Sequence, residues 1–511
     1  MLGRLIDLGG FGVEAVATLT RNGLLGPVHP AALARVVEAY RHFHLTPATG
    51  LAVAAARWPD RPAVIDEEGE VTFAELDARA AALAAGLHRR FGVGPGTTVA
   101  VMWPNDRGFP AAAGAVSRLG ADLLLLNTGL AGPRLREVLR REGVHLLVAA
   151  PGLWEVEFDG PRVSDLDDLA GSAPGDEPPY PKRPGRLVLL TSGTTGTPKG
   201  APRRLSMAAL AEPFVSMLAT VPLRSGEPML IAPPLFHGLG LLWYAAALVL
   251  GCPVVLRRRF DAAAVLDDLD RTGAGALIAV PVMLRRLLEL PPRPLPRLRV
   301  VVSGGSALPA DLATRFMDTY GNVLHDLYGS TEAGWAALAT PADLRDAPGT
   351  VGRPPRGATV RIEDASGEEL PPGEVGRVVV AGGLTFGPGG PLPTGDLGHR
   401  DEHGRLFIDG RDDDMIVSGG ENVFPQEVED FLAARPGVAD VAVLGVPDEE
   451  FGQRLAAYVV PEDGVELSAD ELRQAVKEEL AGFKVPRDVV FVREVPRNQT
   501  GKVDRARLVW E

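Results

Sequence analysis

Three features of this chain predict an α/β fold of more than one domain. Strand-like apolar runs alternate with stretches of helical period from residue 51 onward. The 511 residues exceed what a single core ordinarily supports. An acidic stretch, Asp412-Asp413-Asp414, then separates a C-terminal segment, 412–511, with its own helix and strand signals.

The elements follow in order. In residues 1–50, Leu2, Leu5, Ile6, Phe11, Val13, Val16 and Leu19 mix with Arg4, Asp7, Glu14 and Arg21. The pattern predicts a helical arm, which Gly9-Gly10 and Gly12 weaken. Glu14 interrupts the apolar run and no basic segment precedes it, unlike a secretory leader. The arm packs on the main domain or touches a membrane surface peripherally. Thr72-x-x-Glu75 is a capping box, followed at helical spacing by Leu76, Ala80, Leu83 and Leu87. Val99–Met102 and Leu123–Leu126 read as strands around a helix that ends near Arg118. Leu187–Leu190 is a short buried strand after a loop rich in Pro and Gly, 171–185. Gly238 to Leu256 carries no charge, but its glycines and Pro253 favour a buried helix, Leu241–Leu250, and a buried strand over a membrane span. Val300–Val302 is a strand entering the turn Ser303-Gly304-Gly305-Ser306, with a helix over Leu308–Tyr320. Beyond residue 412, Pro425 opens a helix containing Val428, Phe431 and Leu432. Val441–Leu444, Leu455–Val460 and Val489–Val492 read as strands, and Ser468-x-x-Glu471 caps a further helix.

Composition narrows the function classes. Hydrophobic content of 46% and charged content of 23% are ordinary for a globular protein. The net charge of −14 argues against nucleic acid as a partner, and any polyanionic ligand must meet local positive groups. The one cysteine, Cys252, excludes an internal disulfide and a Cys-based zinc site, and its apolar neighbours predict burial. Only five of the 52 basic residues are lysines, so positions that keep Lys stand out. Lys199 and Lys502 both sit in glycine-containing turns.

The densest motif is Thr191-Ser192-Gly193-Thr194-Thr195-Gly196-Thr197-Pro198-Lys199-Gly200. A Gly-rich loop leaving a strand lets backbone N–H groups approach an anion, while the hydroxyls add donors and Lys199 a compact charge. That chemistry suits a polyphosphate. It is not a P-loop, because Pro198 intervenes and Gly200 follows the lysine. A second motif is Asp326-Leu327-Tyr328-Gly329-Ser330-Thr331-Glu332, whose aromatic ring, hydroxyls and carboxylates suit a flat base, a phosphate and a divalent cation. Asp396, in Thr394-Gly395-Asp396, is a natural acceptor for a ribose diol or an ordinary turn residue. Pro496-Arg497-Asn498-Gln499-Thr500-Gly501-Lys502 is a terminal loop ending in lysine.

Together these motifs, in this order over roughly residues 50–511, resemble the adenylate-forming superfamily of acyl-CoA synthetases, peptide-synthetase adenylation domains and luciferases. The resemblance implies a large N-terminal adenylate-forming domain of stacked sheets and helices plus a small mobile α+β domain. In residue ranges, 1–50 is the arm, 51–411 the ATP- and acyl-binding domain and 412–511 the mobile domain. It implies that the 191–200 loop, with Lys199, holds phosphates. Gly304, Gly305 and Ser306 with Tyr328 sandwich adenine, flanked by Leu327, Gly329 and Ser330, and Asp326 sits at the exocyclic amine. Thr331 contacts the α-phosphate, Glu332 holds Mg²⁺, and Asp396 and Arg411 belong to the nucleotide site. His237 lines the acyl pocket beside the reacting carboxylate. Lys502 is the adenylation lysine, Asp413 the hinge, and Gly419-Gly420 the turn that follows rotation.

The activity implied is an ATP-dependent carboxylate–CoA ligase using ATP, Mg²⁺ and coenzyme A. The stretch from Arg411 to Ile416 and the Ala-Pro-Arg after Gly200 look most like medium- to long-chain fatty acyl-CoA synthetases. Leu241 replaces a tryptophan that some long-chain members carry. Apolar residues Leu239–Trp243 favour a fatty acid as substrate. The alternatives keep adenylation and change the acceptor to a carrier-protein thiol or an amine, or make the chain an inactive nucleotide-binding regulator. A cytoplasmic monomer or homo-oligomer is expected.

Overall fold

The computed structural model describes residues 2–511 apart from 27, 131, 154–157, 172–177, 191–206, 331–332, 383–389, 412–415, 419–420, 449–451, 481, 499–501, 505–506 and 509–511. The chain forms two compact units. The first comprises residues 1–279 and 293–302, the second residues 280–292 and 303–511.

The first unit holds two largely parallel sheets. One is ordered Arg162–Val163, Leu146–Ala149, Thr98–Met102, Asp122–Leu125 and Leu187–Leu189, all parallel. Its strands are apolar on both faces and buried, the signature of parallel strands covered by helices. Helices Phe73–Phe91 and Gly108–Arg118 are among those of this unit. The capping box forms as expected: Thr72 Oγ1 accepts the Glu75 N–H at 3.2 Å, and Glu75 Oε2 accepts the Thr72 N–H at 2.8 Å. In the other sheet, Ala276–Ile278 pairs in parallel with Val300–Gly304 and with Met229–Ile231. Val254–Val255 and Pro62–Asp66 continue it. The helix Gly238–Leu250 is mostly buried, with Trp243 fully so. Among the described residues no helix is long and apolar enough to cross a membrane.

The N-terminal arm is helical, as Leu2–Arg21 and Pro30–Phe43. The first helix runs through Gly9-Gly10 and Gly12, each of which costs about 1 kcal/mol. Anchorage of its end offsets that cost: Asn22 is buried, and its Nδ2 donates to the Leu223 carbonyl at 2.5 Å. Leu33, Val37 and Tyr40 stay exposed on the second helix. Cys252 is buried as expected, and burial pushes its thiol up to about 12.

The second unit contains the antiparallel hairpin Leu324–Ser330/Gly334–Ala339. It also contains an antiparallel sheet ordered Thr350–Gly352, Leu406–Arg411, Leu392–Arg400, Gly376–Gly382 and Ala358–Glu363. These share a core of Ala336, Ala337, Val360, Ile362, Val378, Val380 and Leu406. A second sheet pairs Val438–Asp448 with Gly452–Pro461. Asp488–Phe491 lies parallel beside the latter. One face of this sheet packs helices Pro425–Ala433 and Ala469–Glu479 through Val428, Leu432, Leu472 and Val476. The other face packs Val495 and Leu508 against Ala442, Val446, Ala456 and Tyr458. The alternation of faces along each strand produces the two clusters.

Candidate active site

In the second unit, strand Leu324–Ser330 delivers Asp326 and Tyr328, two residues apart and so on one face. A bulge between Tyr328 and Gly329 carries the strand into the hairpin. A Cβ at Gly329 would lie 2.0 Å from the Gly334 carbonyl oxygen, so no other residue fits there. Asp326 is 4% exposed, and its Oδ1 is buried without a hydrogen-bond partner among the described residues. Ser303 Oγ, at the end of strand Val300–Gly304, is buried in the same state. Burial pushes the Asp326 carboxyl up to about 7; the Ser303 hydroxyl nearby opposes this in part but makes no well-formed hydrogen bond to it. An unpaired buried carboxylate is costly, and an external donor such as an aryl amine would relieve it.

Tyr328 reaches the next sheet. Its hydroxyl donates to Asp396 Oδ2 at 2.5 Å and lies 3.2 Å from Thr394 Oγ1. Thr394 Oγ1 in turn donates to the Val378 carbonyl at 3.0 Å and accepts the Asp396 N–H at 3.1 Å. Asp396 and Arg411 occupy paired positions of the antiparallel strands Leu392–Arg400 and Leu406–Arg411. Arg411 Nη1 stands 3.3 Å from Asp396 Oδ1. Burial raises the Asp396 carboxyl, opposed by the Tyr328 hydroxyl and the charges of Arg411 and Lys502. Burial and the neighbouring Asp396 carboxylate keep the Tyr328 phenol protonated well beyond its usual range.

Lys502 is exposed, in a hairpin closed by the bridge Arg497↔Val503. The Asn498 N–H donates to the Lys502 carbonyl at 2.8 Å, and the Lys502 N–H to Asn498 Oδ1 at 3.0 Å. Its ammonium charge reaches Asp396. The second unit therefore brings together Asp326, Tyr328, Asp396 and Arg411, four residues from the sequence reading, and also carries Lys502. Leu327 and Ser330 lie on the Tyr328 strand, Gly304 is buried, and Gly305 and Ser306 follow it at the turn. Gly305 has φ +84°, which favours glycine.

In the first unit, His237 is the N-cap of helix Gly238–Leu250, half-buried, with its ring 5.4 Å from that of Phe236. Gly240 is required next to it, because a Cβ there would lie 2.4 Å from the Pro234 carbonyl oxygen. Asn105, 5% exposed, clamps this turn. Its Nδ2 donates to the Pro233 carbonyl at 2.9 Å, and its Oδ1 accepts the Leu235 N–H at 2.8 Å. Sequence reasoning missed Asn105, since its partners lie 128 and 130 residues away.

His399 was also missed. Its Nδ1 lies 2.9 Å from Asp409 Oδ2 and its ring stacks on Phe407 at 4.9 Å. The Asp409 hydrogen bond raises the imidazole above its usual value, with burial opposing. The one sequence signal was position, with His399 three residues after Asp396 and its partner Asp409 two before Arg411. The loop Thr191–Gly200, with Ser192, Gly193, Thr194, Thr195, Gly196, Thr197 and Lys199, lies outside the described residues. So do Thr331, Glu332, Asp413, Gly419 and Gly420. Among the described residues no cluster of His, Cys, Asp and Glu could hold a metal ion.

Comparison with known proteins agrees with a nucleotide site. Residues 51–387 match the AMP-binding enzyme family, and residues 427–502 match the AMP-binding enzyme C-terminal domain. A feruloyl-CoA synthase from Amycolatopsis sp is 36% identical over 456 residues, covering 85% of this chain and 92% of that protein. An indoleacetate–CoA ligase from Aromatoleum aromaticum is 33% identical over 482 residues, covering 87% of this chain and 94% of that protein. Among solved structures, o-succinylbenzoate CoA synthetase from Bacillus subtilis in complex with its acyl-adenylate intermediate is similar, with a TM-score of 0.79. It is 30% identical, covering 90% of this chain and 97% of that one.

Proposed function

Because the chain belongs to the AMP-binding enzyme family, we propose that it is an ATP-dependent carboxylate–CoA ligase whose nucleoside subsite is the Asp326, Tyr328, Asp396 and Arg411 cluster. The observation that carries the reading is the buried, unpartnered Asp326 Oδ1 beside an aromatic ring whose hydroxyl holds Asp396. Adenine offers an amine donor and a flat face, and ribose offers a diol to the Asp396 carboxylate.

In the first half-reaction a carboxylate oxygen of the acid attacks the α-phosphorus of ATP. The bond to pyrophosphate breaks, and acyl-adenylate forms. Lys502 stabilises charge developing on the transferring oxygens, as a preorganised cation does best. The resemblance assigns the same duty to Lys199 and the 191–200 loop, and the α-phosphate contact to Thr331. Mg²⁺ supplies charge neutralisation at the phosphates when bound, and the resemblance gives its holding to Glu332. In the second half-reaction the CoA thiol attacks the acyl carbon, the thiol proton leaves, and AMP departs. The proposed division is 51–411 for adenylation and 412–511 for a mobile domain hinged at Asp413. Rotation withdraws Lys502 and brings Gly419-Gly420 to the thioester step.

The acid is proposed to be an apolar monocarboxylate that enters beside His237. The run Leu239–Trp243 supports that polarity and fits a fatty acid, whereas the relatives' names favour an aromatic acid. Pyrophosphate release with ferulate, indoleacetate, octanoate and palmitate, each with and without CoA, tests the reading. CoA-dependent thioester with one of these acids is the expected result. Turnover only with a carrier protein or an amine reassigns the acceptor, and no pyrophosphate with any acid leaves an inactive nucleotide-binding regulator. Vesicle sedimentation tests the membrane contact proposed for residues 1–50.

A further inference from the structure

The hairpin that carries Lys502 is tied to the helix Pro281–Leu288 of the same unit through one carboxylate. Asp440 sits on strand Val438–Asp448, where its Oδ1 also accepts the Val441 N–H at 2.9 Å. From the Lys502 hairpin, Arg497 Nη2 lies 3.0 Å from Asp440 Oδ1 and 3.3 Å from Oδ2, and Nε lies 3.3 Å from Oδ2. From the helix, Arg285 pairs with the same Asp440 Oδ1 and donates through Nη1 to the Ala439 carbonyl at 2.9 Å. The three side chains are 20%, 16% and 21% exposed for Arg285, Asp440 and Arg497, so solvent screens them only in part. The hairpin itself is rooted on the sheet by Val495 and Val503, which pack with Val446 and Tyr458. The Arg285–Asp440–Arg497 bridge therefore ties the hairpin to the helix, and the apolar root ties it to the sheet.

We propose that Asp440 is a positioning residue, one that holds the Lys502 hairpin toward the nucleotide subsite by binding Arg285 and Arg497 at once. The inference rests on the reading of Lys502 as the adenylation lysine. Without Asp440 the two guanidinium groups lose the carboxylate that they share. The bridge then becomes a repulsion, and the hairpin and helix separate. Removing Arg285 alone only weakens the tie. Removing both residues abolishes the repulsion, so the double variant performs no worse than loss of Asp440 alone.

The test separates the two half-reactions. Acyl-adenylate formation is followed by pyrophosphate release, and thioester formation from supplied acyl-adenylate and CoA. The acid is whichever of ferulate, indoleacetate, octanoate and palmitate turns over fastest. Asp440→Asn is expected to slow adenylation on the order of tenfold to a hundredfold, the scale of a misplaced catalytic group. Thioester formation should stay near the parent rate. Arg285→Ala should slow adenylation less, Arg285→Ala/Asp440→Asn no more than Asp440→Asn, and Asp440→Glu should recover part of the rate. Parallel loss of both half-reactions together with a lowered melting temperature would make the bridge purely structural and overturn the proposal. Unchanged adenylation in Asp440→Asn and Arg285→Ala would overturn it as well. Should Asp440→Asn fail to fold, Arg285→Ala decides by the ratio of the two half-reactions. Lys502→Ala run alongside distinguishes the two failures. If it keeps adenylation, the reading of Lys502 falls, and if it alone loses adenylation, only the bridge does.

Discussion

Asp396 and Arg411 stand opposite each other on neighbouring antiparallel strands, with Arg411 Nη1 3.3 Å from Asp396 Oδ1 while Tyr328 donates to Oδ2. The carboxylate is thus held from both sides, and these partners oppose the rise that burial imposes on it. A carboxylate fixed in this way is prepared to accept two hydroxyls of a ribose. Asp396→Asn should raise the Michaelis constant for ATP on the order of tenfold to a hundredfold, the loss expected of a charge-assisted pair. The Michaelis constant for the acid should hardly move. Tyr328→Phe removes only the fixing donor, and a rise of a few-fold, about 1 kcal/mol, is expected. Steady-state kinetics with each substrate varied checks both, and an equal change in the acid constant would count against a ribose role.

Asp326 sets a pH dependence. Its carboxyl is pushed up to about 7 by burial, so near neutrality it is about half protonated. The carboxylate accepts from an exocyclic amine more strongly than the neutral acid does. The Michaelis constant for ATP should therefore fall as pH rises from about 6 to about 8, by up to about tenfold per unit on the acid side. Stability runs the other way. A carboxyl raised above its unfolded value binds more protons in the native state, so its contribution is lost as pH rises from about 4 to about 7. Asp326→Asn should flatten both profiles. A profile unchanged by that substitution would assign the pH dependence to another group.

Local chemistry was legible in this chain, and long-range pairing was not. The Thr72/Glu75 box, the Pro425 and Ser468 helix starts and the strand before Thr191 were all read from neighbouring residues, and all form. The box Thr340/Asp343 escaped notice because an Asp does the work of the usual Glu. Helix Leu2–Arg21 was underestimated, because its glycines weigh against it locally while its anchorage at Asn22 depends on residue 223. Asp326, Tyr328, Asp396 and Lys502 were each marked by motif. That Tyr328 bonds Asp396, or that Arg411 pairs with it in register, depends on strand pairing that no local pattern encodes. Asn105, Arg285 and Asp440 carried no motif at all, since buried or bridging polar residues acquire meaning only from distant partners.

The role proposed for Lys502 predicts that its loss separates the two half-reactions. Its ammonium charge reaches Asp396, and charge builds on the phosphates only while ATP is being cleaved. Loss of one preorganised donor costs a factor on the order of 10²–10³ in rate. Lys502→Ala should nearly abolish acyl-adenylate formation and still convert supplied acyl-adenylate to thioester. Lys502→Arg should rescue poorly, since a planar fork does not replace a compact charge. Near-parental rates in both half-reactions for the alanine variant would return Lys502 to the solvated surface.

The last prediction concerns the acid side, through Asn105. This amide satisfies two backbone groups of the turn Pro233–Leu235, immediately before His237. Asn105→Ala leaves the Pro233 carbonyl and the Leu235 N–H buried without these partners, which costs about 1–3 kcal/mol. The melting temperature should fall accordingly. If His237 lines the acyl entrance, the relaxed turn also moves it, so kcat should drop and the Michaelis constant for the acid should rise. That for ATP should stay put. Asn105→Asp keeps the acceptor for the Leu235 N–H but turns the donor facing Pro233 into a second acceptor, oxygen against oxygen. It should therefore be no better than the alanine variant, although it is the closer isostere. A fall in melting temperature with both Michaelis constants unchanged would make Asn105 a purely structural clamp and remove this support for His237 at the acyl site.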